Sequence, residues 1–173
     1  STYYWRVRAI TGCGTSVWST TFSFTTSSCV TYPSMDVGQI ISTASTTSTI
    51  TITDSGTLSD VNIPLMDLTH AYVGDISATL TSPLGTTVQL FDGPGIPASQ
   101  YGCSGDDILA SFDDVAALTS TDFENMCNPA IPTISGDFQT IDLLSLFNGE
   151  SITGVWTLTI LDSYVTLDDG VIN

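Results

Sequence analysis

Hydrophobic and polar positions alternate along most of this chain with the period of two that a half-buried strand requires. In the first dozen residues, Tyr3, Trp5, Val7 and Ala9 alternate with Tyr4, Arg6 and Arg8. A Gly12-Cys13-Gly14-Thr15 turn follows, then a β-rich stretch with Val17, Trp18, Phe22 and Phe24. This predicts a hairpin over residues 1–26, which alone is marginally stable in water. Ser27 to Gly38 holds Pro33 and small polar side chains and reads as a linker. Strand-like runs come next: a Thr-rich one at 40–52, two over 61–83 separated at Gly74, and one at 86–92. A further run at 154–163 alternates Val155, Thr157 and Thr159 with Trp156, Leu158 and Ile160. Turns at Asp54-Ser55-Gly56 and Pro83-Leu84-Gly85-Thr86 punctuate them. Residues 93–138 read as a long irregular stretch, and 141–149 as one helical turn or a strand edge. No amphipathic helix of about ten residues stands out. Several short strands with regular turns predict an all-β sandwich or jelly roll.

Composition narrows the function classes. The 173 residues carry 18 acidic side chains and 2 basic ones, Arg6 and Arg8, for a net charge of -16. Phosphate neutralisation needs clustered Lys and Arg, so nucleic acid is nearly excluded as a partner. An anionic membrane surface is disfavoured for the same reason. No apolar run approaches ~20 residues, so no membrane insertion is expected. No signal peptide is present, so an export signal would lie outside this stretch. Hydrophobic residues make up 42%, enough for a packed core. Charged residues make up 12%, about half the usual share, so Thr, Ser, Asn and Gly must build the surface, as suits an extracellular β-protein. Trp5, Trp18 and Trp156 sit at strand periodicity, which favours core packing over sugar binding.

Four cysteines, at 13, 29, 103 and 127, include no CxxC pair of the zinc-ribbon kind. They permit three pairings. The local ones are Cys13–Cys29 and Cys103–Cys127, the alternative being four reduced thiols. The secreted character of the composition favours disulfides.

Two family resemblances add to this reading. Tyr3-x-Trp5-x-Val7-x-Ala9, the Gly-rich turn and Ser16-Val17-Trp18-Ser19 resemble the last two strands of a fibronectin type III domain. There Tyr3 would hold the tyrosine-corner position. Residues 39–173 are similar to the P domain (P/Homo B) of proprotein convertase-like and bacterial secreted proteases. Four stretches in order carry this similarity. The first is Ile50-Thr51-Ile52 with Asp60-Val61-Asn62. The second runs from Leu68-Thr69-His70-Ala71-Tyr72-Val73-Gly74-Asp75-Ile76 through Leu80-Thr81-Ser82-Pro83-Leu84-Gly85-Thr86 to Val88-Gln89-Leu90. The third is Phe112-Asp113-Asp114-x-Ala116. The fourth is Leu144-Ser145-x-Phe147-Asn148-Gly149 with Gly154-x-Trp156-x-Leu158 and Asp168-Asp169-Gly170-x-Ile172-Asn173. The resemblance implies a β jelly roll without catalytic residues, preceded by a hairpin from a fibronectin type III-like sandwich. The domains expected are thus 1–27, a linker over 28–38, and 39–173. The chain departs from the family in the extra sequence of 93–138 with its two cysteines. The family's pattern also continues into a Trp-containing final strand beyond Asn173. The expectation is a fragment of a longer polypeptide, or a strand supplied by another chain.

Catalysis has little to build on. A Ser–His–Asp triad needs a positioned His base, and the sole His, His70, lies in an expected strand. No GxSxG nucleophile elbow or HExxH motif occurs. Calcium is the sharper hypothesis, because Asp- and Gly-rich loops supply the six to eight oxygens it takes. Asp106 and Asp107 with Asp113 and Asp114 bracket a short expected strand and are candidates to converge on one ion, with Asp75 facing the same end. Asp162, Asp168 and Asp169 form a second candidate group. Turn acids capping backbone N–H groups are the alternative. A divalent ion would also offset the self-repulsion of a chain so acidic.

The expected protein is a non-catalytic, calcium-stabilised accessory and interaction module of a larger protein, secreted or at the cell surface. Its partner would be its own catalytic domain, a neighbouring module or another copy. The alternative is a building block of an extracellular adhesin or fibre, with edge strands completed by neighbouring chains.

Overall fold

The computed structural model describes residues 1–25, 29–41, 45–96, 98–164 and 169–173. The chain divides into two compact units, Ser1–Tyr32 and Pro33–Asn173. The first is a ribbon. Strands β1 (Thr2–Trp5) and β4 (Phe22–Thr25) pair antiparallel, and β2 (Ile10–Thr11) and β3 (Gly14–Thr15) close its tip. Between them the hydroxyls of Ser16 and Ser19 accept from the N–H groups of Ala9 and Val7. Cross-strand neighbours Tyr3 and Phe24 stack at 5.3 Å, and Trp5 and Phe22 at 4.9 Å. A two-stranded ribbon has no second layer of its own. Trp5 and Trp18, expected in a core, are therefore 49% and 45% exposed. The guanidinium carbons of Arg6 and Arg8 each lie 4.6 Å from the Trp18 ring centroid.

The second unit is an all-β sandwich of two sheets packed together. One sheet has the order β11-β10-β7-β13-β5, from β5 (Gln39–Ile41), β7 (Ile63–His70), β10 (Ile108–Phe112), β11 (Ile134–Phe138) and β13 (Gly170–Ile172). The other has the order β6-β12-β8-β9, from β6 (Thr46–Ile52), β8 (Ile76–Thr81), β9 (Thr87–Asp92) and β12 (Gly154–Asp162). All neighbours are antiparallel except β10 and β11. Period-two patterning selects the inner faces: in β6, Thr46, Ser48 and Ile52 are buried while Thr47, Thr49 and Thr51 are exposed. In β12, Trp156, Ile160 and Asp162 are buried. Ile41, Leu68, Ile76, Val88, Leu90, Ile108 and Ile134 are also fully shielded.

Helix α1 (Ser120–Asn125) fills one end of the sandwich with a single ring. Phe123 lies 4.9 Å from Phe91 of β9, 5.5 Å from Phe112 of β10 and 5.1 Å from Phe138 of β11, bridging both sheets. A Thr119–Asp122 capping box starts the helix. The stretch expected to be irregular, 93–138, thus contains two strands and a helix. Six residues are too few to display a helical period, and β11 has apolar side chains only at Ile134 and Phe138. The run at 141–149 forms the helical alternative, a 3₁₀ turn over Leu144–Phe147 that sets Phe147 edge-on to Trp156 at 5.0 Å.

Part of the expected linker is held against the second unit. The Ser34 and Ser48 hydroxyls lie 2.7 Å apart, and the Asp36 carboxylate accepts from the N–H and hydroxyl of Thr49 at 2.7 and 3.1 Å. Gly38 donates to the carbonyl of Ile172. Among the described residues, no helix is long and apolar enough to cross a membrane.

Candidate functional site

The sole His sits at the end of β7, beside two of the sequence-predicted acids, Asp107 and Asp162. The His70 N–H donates to a carboxylate oxygen of Asp107 at 3.0 Å, and the Asp107 N–H returns to the His70 carbonyl at 3.0 Å. Asp107 adopts φ 66°, a left-handed conformation that Asp tolerates better than most side chains. The His70 ring is buried, with Nδ1 2.9 Å from the Tyr72 carbonyl and 3.2 Å from its N–H. Nε2 faces Asp162 Oδ2 at 3.6 Å, across from one sheet to the other. Both atoms are buried without a hydrogen-bond partner. The other Asp162 oxygen accepts the Tyr164 N–H at 2.8 Å. Opposite His70 in the sheet stands Gly170. This His–Asp pair is closed to solvent and serves the contact between sheets.

The remaining acids divide by position. Asp107 and Asp113 flank the five-residue strand β10 at opposite ends, six extended steps or roughly 20 Å apart. The pairs 106–107 and 113–114 therefore do not converge on one ion, contrary to expectation. Asp113 instead accepts the Val115 N–H at 2.9 Å. Asp114 accepts the N–H groups of both Leu144 and Ser145 at 2.8 Å, tying β10 to the 3₁₀ turn. The Asp106 carbonyl accepts the Thr133 N–H at 2.7 Å, and the Asp75 carbonyl that of Ser163 at 2.8 Å. Asp169 is exposed, and Asp168 lies outside the described residues. Among the described residues, no three His, Cys, Asp or Glu side chains gather as metal ligands. The residues present do not fit the calcium ion expected at 106–114.

Cys103 and Cys127 form a disulfide. The other local pair is not formed: Cys13 and Cys29 are free and exposed. Cys13 occupies the closed tip of the ribbon, whereas Cys29 follows Thr25, which pairs with Thr2 at the open end. The ribbon separates those ends by about 30 Å at ~3.3 Å per residue. Four residues beyond Thr25 retrace at most about 14 Å. A disulfide needs Cα atoms within about 7 Å.

One acid outside the expected set has unusual properties. Glu124, half-buried on α1, accepts the Asp92 N–H at 2.8 Å. Burial pushes its carboxyl up from 4.5 to about 7, with a smaller contribution from the Asp92 charge and opposition from that hydrogen bond. No local pattern marked this residue, because its neighbour Asp92 is 32 positions away. No protein-family model matches the chain, and no curated protein matches it.

Proposed function

We propose that the chain is a non-catalytic interaction and stabilising module of a larger extracellular protein: a P-domain-like jelly roll preceded by a fibronectin type III-like hairpin. The observation that supports this most is where the four resembling stretches lie. They are scattered between Ile50 and Asn173, yet most of their described residues fall on β6, β7, β8, β9, β12 and β13 and on the Asp113–Asp114 turn of one sandwich, while Asp60-Val61-Asn62 and the Leu144–Phe147 turn connect its strands. Gly170-x-Ile172-Asn173 pairs directly with Leu68-Thr69-His70, and the Asn173 amide donates to Asp67 and Thr69 at 3.0 and 2.9 Å. Several of the candidate groups have structural partners. His70 is sealed against Asp162, and Asp107, Asp113 and Asp114 hold backbone N–H groups. The Cys103–Cys127 disulfide accords with an oxidising, extracellular setting.

The experiment is to isolate the native polypeptide and read it by intact mass and peptide sequencing. A protease domain in the same polypeptide supports the accessory role. Tandem copies without a protease support the alternative, a building block of an adhesin or fibre. A polypeptide confined to the reducing cell interior contradicts both.

A further inference from the structure

The outer face of the four-stranded sheet is built chiefly of threonine. Period two turns Thr46, Ser48 and Ile52 of β6 into the core and leaves Thr47, Thr49 and Thr51 outside. The strands paired with β6 and β12 repeat the pattern. Thr49, Thr157 and Thr81 stand in register across β6, β12 and β8 as one rank, and Thr47, Thr159 and Thr79 as the next. Neither pairing has a register shift, so the six side chains form a two-dimensional grid. Its spacings are about 4.8 Å between strands and about 6.7 Å along them.

Three properties distinguish this face. It is uncharged: β6, β8 and β12 hold one ionisable side chain, Asp162, which is buried between the sheets, although the chain carries 18 acids. It has no aromatic ring on which a sugar could stack, because Trp156, the one aromatic residue of these strands, points inward. And most of the grid's hydroxyls are left to water. The Thr49 hydroxyl donates to Asp36 at 3.1 Å, and the Thr81 hydroxyl lies 2.9 Å from that of Thr87. Among the described residues, the hydroxyls of Thr47, Thr79, Thr157 and Thr159 have no protein partner. Thr79, Thr157 and Thr159 are half-buried, so water reaches them from one side only.

Threonine is stiff at χ1, so each hydroxyl and methyl keeps a fixed place on the strand lattice. The waters bound there inherit the two spacings of the grid, which lie near the repeats of water oxygens on the prism faces of hexagonal ice. The twist of the sheet confines this match to a patch of a few strands. Val155 and Leu161 of β12, 49% and 44% exposed, bound the patch with apolar surface.

We infer that this threonine face binds ice. The inference does not depend on the module reading. The partner is an uncharged lattice of water, and the methyl and hydroxyl groups hold the first layer in positions that a growing ice surface continues.

The test freezes a solution of the full 173-residue chain slowly onto a cold probe and measures the share of protein carried into the ice, beside an inert acidic protein of similar size. The expected result is enrichment of the chain in the ice and exclusion of the inert protein. Thr159→Lys, in the middle of the grid, and Thr47→Lys, on the edge strand β6, should each reduce enrichment to the inert level. Ser135→Lys, the same charge change on an exposed position of β11 in the other sheet, should leave it unchanged. Thermal melting of the three variants verifies that each is folded. Exclusion of the parent chain from ice would overturn the inference whatever the variants do. Equal loss in Ser135→Lys, or enrichment kept in both folded grid variants, would overturn it as well. Retention of the parent on microcrystalline cellulose without enrichment in ice would assign the face to an uncharged polysaccharide instead.

Discussion

Gly170 faces His70 across β13 and β7 so closely that a Cβ there would lie 2.4 Å from the Thr69 carbonyl oxygen and 2.6 Å from His70 Cδ2. The same His70 ring faces buried Asp162 at 3.6 Å. Gly170→Ala must therefore push apart two strands of the five-stranded sheet. The expected loss is about 2–3 kcal/mol, measured by urea unfolding. A loss within experimental error would mean that the β13–β7 approach is looser than described.

Asp114 bears on how β10 is joined to the 3₁₀ turn. Its two oxygens accept from Leu144 and Ser145, and the turn they begin carries Phe147 onto Trp156. Asp114→Ala removes both acceptors and should cost about 2–3 kcal/mol. Asp114→Asn keeps one acceptor oxygen and should cost about half as much. Equal stability of the two variants would show that the cap is not the cause.

Glu124 gives the fold a pH dependence of defined sign. Its folded-state pKa, raised to about 7, exceeds the ordinary 4.5. Between these values the folded protein holds a proton that the unfolded chain has released, so stability falls as pH rises through the window. Glu124→Gln retains an acceptor for the Asp92 N–H and has no charge to develop. The variant should gain stability over the parent at about pH 8 and match it near pH 4.5. An unchanged difference at both pH values would refute this role.

Thiol chemistry separates the two cysteine pairs. Without reductant, alkylation should modify two thiols, Cys13 and Cys29, and with reductant all four. Loss of the Cys103–Cys127 bridge, which spans 24 residues, should cost about 3 kcal/mol. Since Asp107 and Asp113 do not share an ion, any shift of the melting temperature with EDTA should be the same in the parent and in Asp113→Ala. A shift with EDTA that Asp113→Ala abolishes would restore a shared ion at 106–114.

The sheets were legible where alternation is strict. Trp156 and Ile160 in β12, and Leu68 and His70 in β7, announce their inner faces through period two. The expectation of core positions failed for Trp5 and Trp18, because alternation identifies a face and not whether a second layer covers it. The pairing of Cys13 with Cys29 failed because sequence proximity says nothing about which end of a ribbon a residue occupies. The acidic turns read in the sequence as calcium candidates, with caps on backbone N–H groups as the alternative, and Asp113 and Asp114 form such caps. The Asp113 cap on Val115 is local, whereas the role of Asp114 as cap for Leu144 and Ser145 depends on where the chain returns after about thirty residues, which no local pattern encodes. Glu124 escaped notice for the same reason.

The most direct test of the central claim is thermal unfolding and partner retention of the native polypeptide with and without residues 39–173. An accessory and stabilising module predicts that deletion lowers the melting temperature of the remaining polypeptide by roughly 5 °C or more and weakens its hold on its partner. Unchanged melting and unchanged retention, together with substrate turnover by the 173-residue chain alone, would contradict it.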